Sequence, residues 1–293
     1  MVSLTKNSSF RTGLLLFHLQ NTAMKNPILT VVPSALLFVA VFYVAGMSSA
    51  EEETKKFDGD LRVLCYNVHH CEGEDKKTDI ERIADIILSQ KPDVVFLQEI
   101  DNKAKRTGNV DQAKELERLT KLTAVFGKAI DLQGGEYGLA ILTRFPVLEN
   151  EMRFLPLTDA DPEQRGVLRV LVDVSPTQKL TLLCTHLSHR GNTEKRLAQA
   201  QKINEFFGEM ETPVILAGDF NATPNTDTYK AIAAKWSNVA DNRKKAGEPT
   251  PHAIDFIFYR PEGAFSILET KTIDEPLASD HNPIFAIMRL EAK

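Results

Sequence analysis

The sequence has few cysteines, and none of them is spaced as in common zinc sites. Its 293 residues include Cys65, Cys71 and Cys184, so at least one cysteine has no partner within the chain. No Cys-x-x-Cys pair is present. Cys65 and Cys184 lie in apolar runs that predict strands, where a cysteine usually acts as a small buried hydrophobic residue. Cysteine usage therefore gives no sign of a zinc site, and whether Cys71 pairs stays open.

The chain also lacks a surplus of basic residues and is sparing with large aromatic ones. It carries 35 Lys and Arg against 40 Asp and Glu. Three of the basic residues and no acidic residue lie in residues 1–50, which leaves 32 basic against 40 acidic residues in the body. Duplex DNA is bound through a basic face, and single strands stack on aromatic rings. With one tryptophan and five tyrosines, the composition weakly disfavours a nuclease.

Residues 26–50 contain no charged side chain. Lys25 precedes this segment, Ser48-Ser49-Ala50 ends it, and three glutamates follow. A basic start, an apolar run and small residues at the end are typical of a secretory signal peptide. A retained membrane anchor stays open, because the run approaches the roughly 20 residues that span a bilayer. The charged flanks disfavour a buried core helix. We predict an exported protein, periplasmic or extracellular, either released or held at the membrane through residues 26–50.

The start of the chain carries a second signal. Met24-Lys25-Asn26 is itself an ordinary start for a signal peptide, whereas Met1–Ala23 is a polar lead without a pattern, so we predict that Met24 is the initiator.

No Pro/Gly-rich linker divides residues 55–293. We therefore predict an N-terminal segment over residues 1–50 and one catalytic domain over residues 51–293. No obligate protein partner is indicated, and we expect a monomer.

Strand and helix patterns alternate twice in the body. In the first half, a strand at Leu61–Val68 is followed by an amphipathic helix from Thr78 or Asp79 and a strand at Asp93–Glu99. The second half repeats this plan with Lys179–Leu187, Thr193–Phe207 and Pro213–Asn221. Between the halves we predict a meander, and after them two further strands: Gly138–Thr143, Val147–Phe154 and Gly166–Val174, then Ile254–Tyr259 and Pro283–Leu290. These patterns predict an α/β (α+β) fold with two packed mixed β-sheets flanked by helices, in four α/β/β/α layers.

Polar residues collect at the ends of these predicted strands, where ligands of such folds gather. They are Asn67, Glu99, His186, Asp219, Asn221, Asp255, Asp280 and His281. Hydrolysis of a phosphate ester needs neutralised phosphoryl oxygens, a positioned water and help for the leaving oxygen. Carboxylate and amide oxygens suit a hard ion such as Mg²⁺, and the set contains no serine or cysteine nucleophile. The set predicts metal-assisted hydrolysis by water.

Six short motifs carry a family resemblance. They are Tyr66-Asn67, Leu97-Gln98-Glu99, Thr185-His186-Leu187, Gly218-Asp219-Phe220-Asn221, Ile254-Asp255-Phe256-Ile257 and Ser279-Asp280-His281. In this order, over roughly residues 60–290, they resemble the motif series of the endonuclease/exonuclease/phosphatase superfamily, the DNase I-like metal-dependent phosphoesterases. The resemblance implies that Glu99 is the principal ligand of Mg²⁺ or Mn²⁺, with Asn67 beside it and Asp280 as a further contributor.

The same resemblance implies the remaining roles. Asp219 would orient or deprotonate the attacking water, and His281 would stabilise the transition state or transfer a proton while Asp255 holds its ring. The phosphate would be contacted by Asn221, His186, Asn67, Arg165 and Tyr137. Apart from the resemblance, four residues flank the motifs, and most of them are expected at the rim, where they set substrate preference: His69, His70, His189 and Arg190. Ala253 stands where the family usually has an arginine, which puts a phosphate contact at that place in doubt.

Each assignment has a plainer alternative. Glu99 could be an exposed acid at a strand end, and Asp219 with Asn221 could form a turn through local hydrogen bonds. Asp280-His281 could be a capped turn. Asp255 has no such alternative, because a buried carboxylate without a partner is costly.

The predicted function is a phosphodiesterase that acts outside the cytoplasm on small or lipid-linked phosphodiesters. Two alternatives stay open. A secreted nuclease would need a basic groove or stacking aromatics, and a non-catalytic binding module on the same fold would have little reason to keep the full polar set.

Overall fold

Two six-stranded sheets and four α-helices make up the described part of the chain. A computed structural model describes residues 59–157, 163–190, 193–240 and 253–291. The strands are β1 (Asp60–Asn67), β2 (Val94–Asn102), β3 (Thr123–Leu132), β4 (Gly135–Thr143), β5 (Val147–Phe154), β6 (Gly166–Ser175), β7 (Gln178–His186), β8 (Val214–Asp219), β9 (Ser237–Asn238), β10 (Asp255–Arg260), β11 (Phe265–Thr272) and β12 (Ile284–Leu290). The helices are α1 (Ile80–Gln90), α2 (Gln112–Thr120), α3 (Thr193–Phe207) and α4 (Asp227–Ala233).

Each sheet is built around one parallel pair of strands. The first sheet has the order β11-β12-β1-β2-β4-β3, and the second has the order β5-β6-β7-β8-β10-β9. β1 and β2 are parallel and are joined through α1, while β7 and β8 are parallel and are joined through α3. The other strand pairs are antiparallel. The carboxyl ends of the parallel strands therefore share an edge with the amino ends of β12 and β10.

Alternation along the strands builds three apolar layers. Val63 and Cys65 of β1 face the core between the sheets, whereas Leu64 and Tyr66 face α1 and α2, as the period of two requires. In the same way, the far face of the second sheet packs on α3 and α4. Helix α1 begins after Asp79, whose side chain accepts a hydrogen bond from the Arg82 N–H and so caps the helix. The predicted four-layer α/β/β/α architecture is confirmed.

One predicted connection is wrong, and several elements were not predicted. β4 lies in the first sheet and β5 in the second, so the predicted meander breaks at residues 144–146. Which sheet a strand joins depends on the strands with which it pairs. The alternation of residues along a strand is the same in either sheet, so the sequence does not show where the chain passes from one sheet to the other. The elements without a prediction are α2, β3, α4, β9 and β11.

The N-terminal predictions fall on residues that the structure does not describe. The signal peptide or anchor over residues 26–50, the start at Met24 and the boundary at residue 51 all lie outside the described residues. The described residues themselves fall within one compact unit. Among them, no helix is long and apolar enough to cross a membrane.

Candidate active site

Asn67, at the end of β1, joins the two sheets through its side-chain amide. Its Nδ2 donates to Glu99 Oε1 and to Asp219 Oδ2, both at 3.2 Å. Its Oδ1 accepts from the His69 backbone N–H at 3.1 Å. Because a backbone N–H can only donate, this contact fixes which way the amide points. Asn67 therefore acts as a donor between two carboxylates, and its predicted roles as metal ligand and phosphate contact stay predictions.

Glu99 is turned towards the shared edge by an irregularity in β2. The pairing of β2 with β4 shifts register between Leu97 and Ile100, and Glu99 has a φ of +63°. A bulge of this kind redirects a side chain, and the left-handed conformation is costly for a residue other than glycine. Glu99 lines the cleft, and no described residue donates a hydrogen bond to its Oε2. A carboxylate that faces a cleft in this way suits a hard divalent ion completed by waters and a substrate oxygen.

Asp255 and His281 form the predicted carboxylate–imidazole pair. Asp255 Oδ2 lies 2.8 Å from His281 Nδ1, and the paired residue of Asp255 across the sheet is Asp219. Burial lowers the pKa of His281, but the hydrogen bond and charge of Asp255, with the charges of Asp219 and Asp280, raise it to about 9. His281 is therefore protonated at neutral pH, with its Nε2 3.8 Å from Asp219 Oδ2.

Asp219 is the most enclosed carboxylate of the site, with 2 % of its surface exposed. Burial and the charge of Asp255 raise its pKa to about 7, against the opposing effect of His281. Its Oδ1 accepts from the Asn221 backbone N–H at 2.8 Å, and Asn221 Nδ2 donates to the Leu187 carbonyl at 3.0 Å. The local turn considered as an alternative is therefore present, and it also holds Asp219 in the site.

His186 lies against Asp219 from the end of β7. Its Nε2 is 3.4 Å from Asp219 Oδ2, and burial together with Arg165 holds its pKa well below the ordinary value of 6.5. A neutral ring that faces a carboxylate carries its proton on the facing nitrogen. His186 therefore directs an N–H towards Asp219, and its predicted contact with the phosphate stays a prediction.

Gly218 allows this approach of β8 to β7. A Cβ added to Gly218 would lie 1.9 Å from the carbonyl oxygen of Thr185, so no other residue fits without moving backbone. The glycine thus holds the last residues of the two strands, His186 and Asp219, side by side.

A cleft of about 380 Å³ opens beside these residues. Four of its lining residues were predicted for the site: Glu99, Tyr137, Arg165 and His186. Three more flank the motifs: His69, His189 and Arg190. The other four were not predicted: Arg106, Ile130, Leu132 and Glu163. His70, the fourth residue that flanks the motifs, is buried and is not among the residues that line the cleft.

Arg106 is the most informative residue that sequence reasoning missed. Its Nε and Nη2 each donate at 2.8 Å to the carboxylate of Asp101, which is fully buried. The guanidinium also lies over the Tyr137 ring, 5.5 Å from its centroid. Arg106 comes from a short 3-10 turn (Lys105–Thr107) in a polar stretch without periodicity, so no local signal marks it.

Arg165 and Tyr137 are both buried at the cleft wall. Arg165 Nη2 lies 3.1 Å from His189 Nδ1 and 3.2 Å from Glu163 Oε1. Burial, with the charges of Glu99 and Glu163, raises the pKa of Tyr137, so its hydroxyl stays protonated as a donor. Both residues line the cleft, and their predicted contact with the phosphate stays a prediction.

Asp280 is exposed and stands beside the end of β1. Ser279 Oγ donates to the Asn67 carbonyl at 2.8 Å and ties this turn to the site. Within the described ranges, the groups of side chains spaced to hold a metal ion do not include Asp280. Its role as a metal ligand stays a prediction.

The two-sheet architecture is the DNase I-like α/β sandwich fold. Residues 64–281 match the model of the Endonuclease/Exonuclease/phosphatase family, and the chain belongs to that family, whose members are divalent-metal-dependent phosphoesterases.

Known proteins resemble this chain at low identity. It is 26% identical to nocturnin of Xenopus laevis over 208 residues, which are 60% of this chain and 52% of that protein. The chain therefore spans about half the length of this curated relative. An endonuclease/exonuclease/phosphatase from Beutenbergia cavernae has a TM-score of 0.69 at 24% identity, covering 80% of this chain and 72% of that chain. The human nocturnin catalytic domain with bound sulfate anion has a TM-score of 0.65 at 21% identity, covering 80% and 94%.

Proposed function

We propose that this protein hydrolyses a phosphodiester by attack of water, with a divalent ion held at Glu99, outside the cytoplasm. The observation that carries the proposal is one connected network. Asn67 bridges Glu99 and Asp219, and the His281–Asp255 pair stands against the same Asp219 oxygen that Asn67 contacts. This network combines a place for a metal, a base and an acid within one set of hydrogen bonds and ion pairs.

The chain's own groups divide the steps between them. Asp219, with a pKa raised to about 7, is suited to orient a water and accept its proton. His281, with a pKa raised to about 9, stabilises charge on the phosphoryl group or protonates the leaving oxygen. Asn67 is fixed as an N–H donor and so keeps the two carboxylates apart and oriented. A divalent ion at Glu99 supplies charge neutralisation on the phosphoryl oxygens.

The cleft favours a small substrate group. Its volume of about 380 Å³ lies at the lower end of the range for small-molecule sites. Arg106 and Arg165 supply positive charge at the wall, and Ile130 and Leu132 supply an apolar side. A headgroup phosphodiester, free or attached to lipid, suits these walls better than a duplex. The acidic body supports the same choice, and the pattern of residues 26–50 supports action outside the cytoplasm.

A release assay tests the proposal. Purified protein is incubated with DNA, RNA, sphingomyelin, phosphatidylinositol and bis-p-nitrophenyl phosphate, each with Mg²⁺, with Mn²⁺ and with chelator. We expect metal-dependent release from a small or lipid-linked diester, and at least about a 10²-fold loss in His281→Ala. Faster release from DNA or RNA would favour the nuclease instead. No release from any substrate with either metal would favour the binding module.

A further inference from the structure

A cluster of nitrogen ligands lies against Glu99 and is absent from the predicted metal site. His69, His70 and Glu99 each offer one ligand atom, and these atoms lie within 4.8 Å of one another. The two rings meet edge to face with their centroids 4.4 Å apart. Ligands of one ion at about 2.1 Å from it stand roughly 3–4 Å apart, so small side-chain movements would bring all three atoms onto one ion.

Two consecutive side chains converge here because the backbone is left-handed. The φ angles of His69, His70 and Cys71 are +46°, +46° and +61°, whereas side chains of consecutive extended residues point to opposite faces. Such angles are costly for residues other than glycine. Surrounding contacts hold them in place, since Gln112 Nε2 donates to the His70 carbonyl at 2.6 Å and the Asp79 N–H donates to the Cys71 carbonyl at 2.8 Å.

At least one nitrogen of each ring has no hydrogen-bond partner among the described residues. His69 Nδ1 lies 3.2 Å from the Glu72 carbonyl oxygen, so Nδ1 carries the proton and Nε2 keeps its lone pair. His70 Nε2 lies 3.7 Å from Glu72 Oε2, and its buried Nδ1 has no partner among the described residues. The His70 side chain is only 10% exposed. An imidazole whose far nitrogen faces a carbonyl or a carboxylate is arranged as metal-ligating histidines are.

The donor set decides which ions fit. Mg²⁺ prefers oxygen ligands, whereas imidazole nitrogens favour first-row transition ions, with Zn²⁺ bound more tightly than Mn²⁺. Two imidazoles and one carboxylate also leave coordination positions open, and His69 and Glu99 both line the cleft.

We propose that His69, His70 and Glu99 bind a transition ion such as Zn²⁺ or Mn²⁺ in preference to Mg²⁺, with Glu72 orienting both rings. The predicted site for Mg²⁺ or Mn²⁺ uses oxygen ligands alone, and this proposal keeps Glu99 and adds two nitrogen ligands. The binding does not depend on the reaction, so it stands or falls separately from the proposed hydrolysis.

The test measures binding on the full chain after chelation and dialysis. Zn²⁺ and Mg²⁺ are titrated by calorimetry into wild type, His69→Ala, His70→Ala and His189→Ala, the last being a cleft histidine outside the cluster. We expect Zn²⁺ to bind wild type at least about 10-fold more tightly than Mg²⁺. We expect at least about a 10-fold loss of Zn²⁺ affinity in the first two variants and no loss in His189→Ala.

Spectroscopy gives a second readout that a structural role would not move. Mn²⁺ bound to wild type should show nitrogen coupling from imidazole in pulsed paramagnetic resonance, and this coupling should weaken in His69→Ala. If His70→Ala unfolds at lower temperature without metal, His69→Ala carries the test, since its ring is half-exposed. Unchanged Zn²⁺ affinity in His69→Ala, or Mn²⁺ bound without nitrogen coupling, would overturn the proposal while leaving the proposed hydrolysis intact.

Discussion

The two parallel β–α–β units of this protein share one topology and end in different chemistry. The first unit, β1-α1-β2, ends in Asn67 and Glu99, and the second, β7-α3-β8, ends in His186 and Asp219. In the first unit the chain then turns left-handed, at His69 and again at Glu99 itself. In the second unit a glycine draws the strands together, so the two final side chains stand side by side.

Glu99 and Asp219 differ in burial, and this difference determines which chemistry each carboxylate can perform. Glu99 is half-buried and lines the cleft, within reach of an ion and its waters. Asp219 is 2 % exposed, and burial with the charge of Asp255 raises its pKa to about 7. A carboxylate tuned near neutral pH can move a proton, whereas one open to the cleft can bind a cation. The same strand-end position is therefore suited to binding a metal in one unit and to moving a proton in the other.

Removal of the metal ion should completely abolish what Glu99, at the end of the first unit, contributes to hydrolysis. We expect chelation followed by dialysis to abolish hydrolysis, because the ion is needed to neutralise the phosphoryl oxygens. Glu99→Ala should raise the metal concentration needed for half-maximal rate as well as lower the rate. Initial rates over a metal titration measure both effects. Full activity after exhaustive chelation, or a wild-type titration in Glu99→Ala, would contradict the metal role of Glu99.

Loss of His281 should remove the proton chemistry next to Asp219, the last residue of the second unit, without changing the metal titration. We expect His281→Ala to lower kcat at least about 10²-fold, and Asp255→Asn to lower it less. The double variant should be little slower than His281→Ala, because residues that act as one unit give non-additive losses. Losses that multiply would mean that Asp255 acts separately from His281.

The two β–α–β units and the Asp255–His281 pair were predictable because their sequence signals are local. Strand and helix periodicity mark both units, and a carboxylate such as Asp255 inside an apolar strand requires a partner. By contrast, the positions of Arg106 and His70 depend on individual side-chain contacts, with Asp101 and Gln112 respectively, and periodicity does not report such contacts. Helix α2 was missed for a related reason. Two of its buried positions are Gln112 and Thr120, so its apolar stripe is too short to be recognised.

The pH dependence of activity tests the role of His281 beside Asp219. In the proposed reaction His281 acts when protonated, with a pKa raised to about 9, and Asp219 acts when ionised, with a pKa raised to about 7. Activity should therefore be highest between these two values and fall as pH rises through about 9. Asp255→Asn removes the charge that raises this pKa, while burial still lowers it, so the alkaline limb should move to lower pH. Asp280→Asn removes a weaker influence and should move the limb less. Profiles of kcat/KM against pH measure these shifts. An alkaline limb that stays in place in Asp255→Asn would assign it to another group.

The smallest effect concerns the glycine that distinguishes the second unit. A Cβ at Gly218 would meet the Thr185 carbonyl oxygen at 1.9 Å and its carbon at 2.8 Å, and both are backbone atoms that move only with β7. Overpacking of this kind costs typically 1–3 kcal/mol, so Gly218→Ala should lower the free energy of unfolding by about 2 kcal/mol, measured by urea denaturation. Gly108→Ala is the matched control, because its φ is +72° but an added Cβ meets nothing within 4 Å. It carries only the backbone cost of about 1 kcal/mol. Equal losses in the two variants would show that β7 yields readily, and the close approach of His186 and Asp219 would then not depend on the glycine.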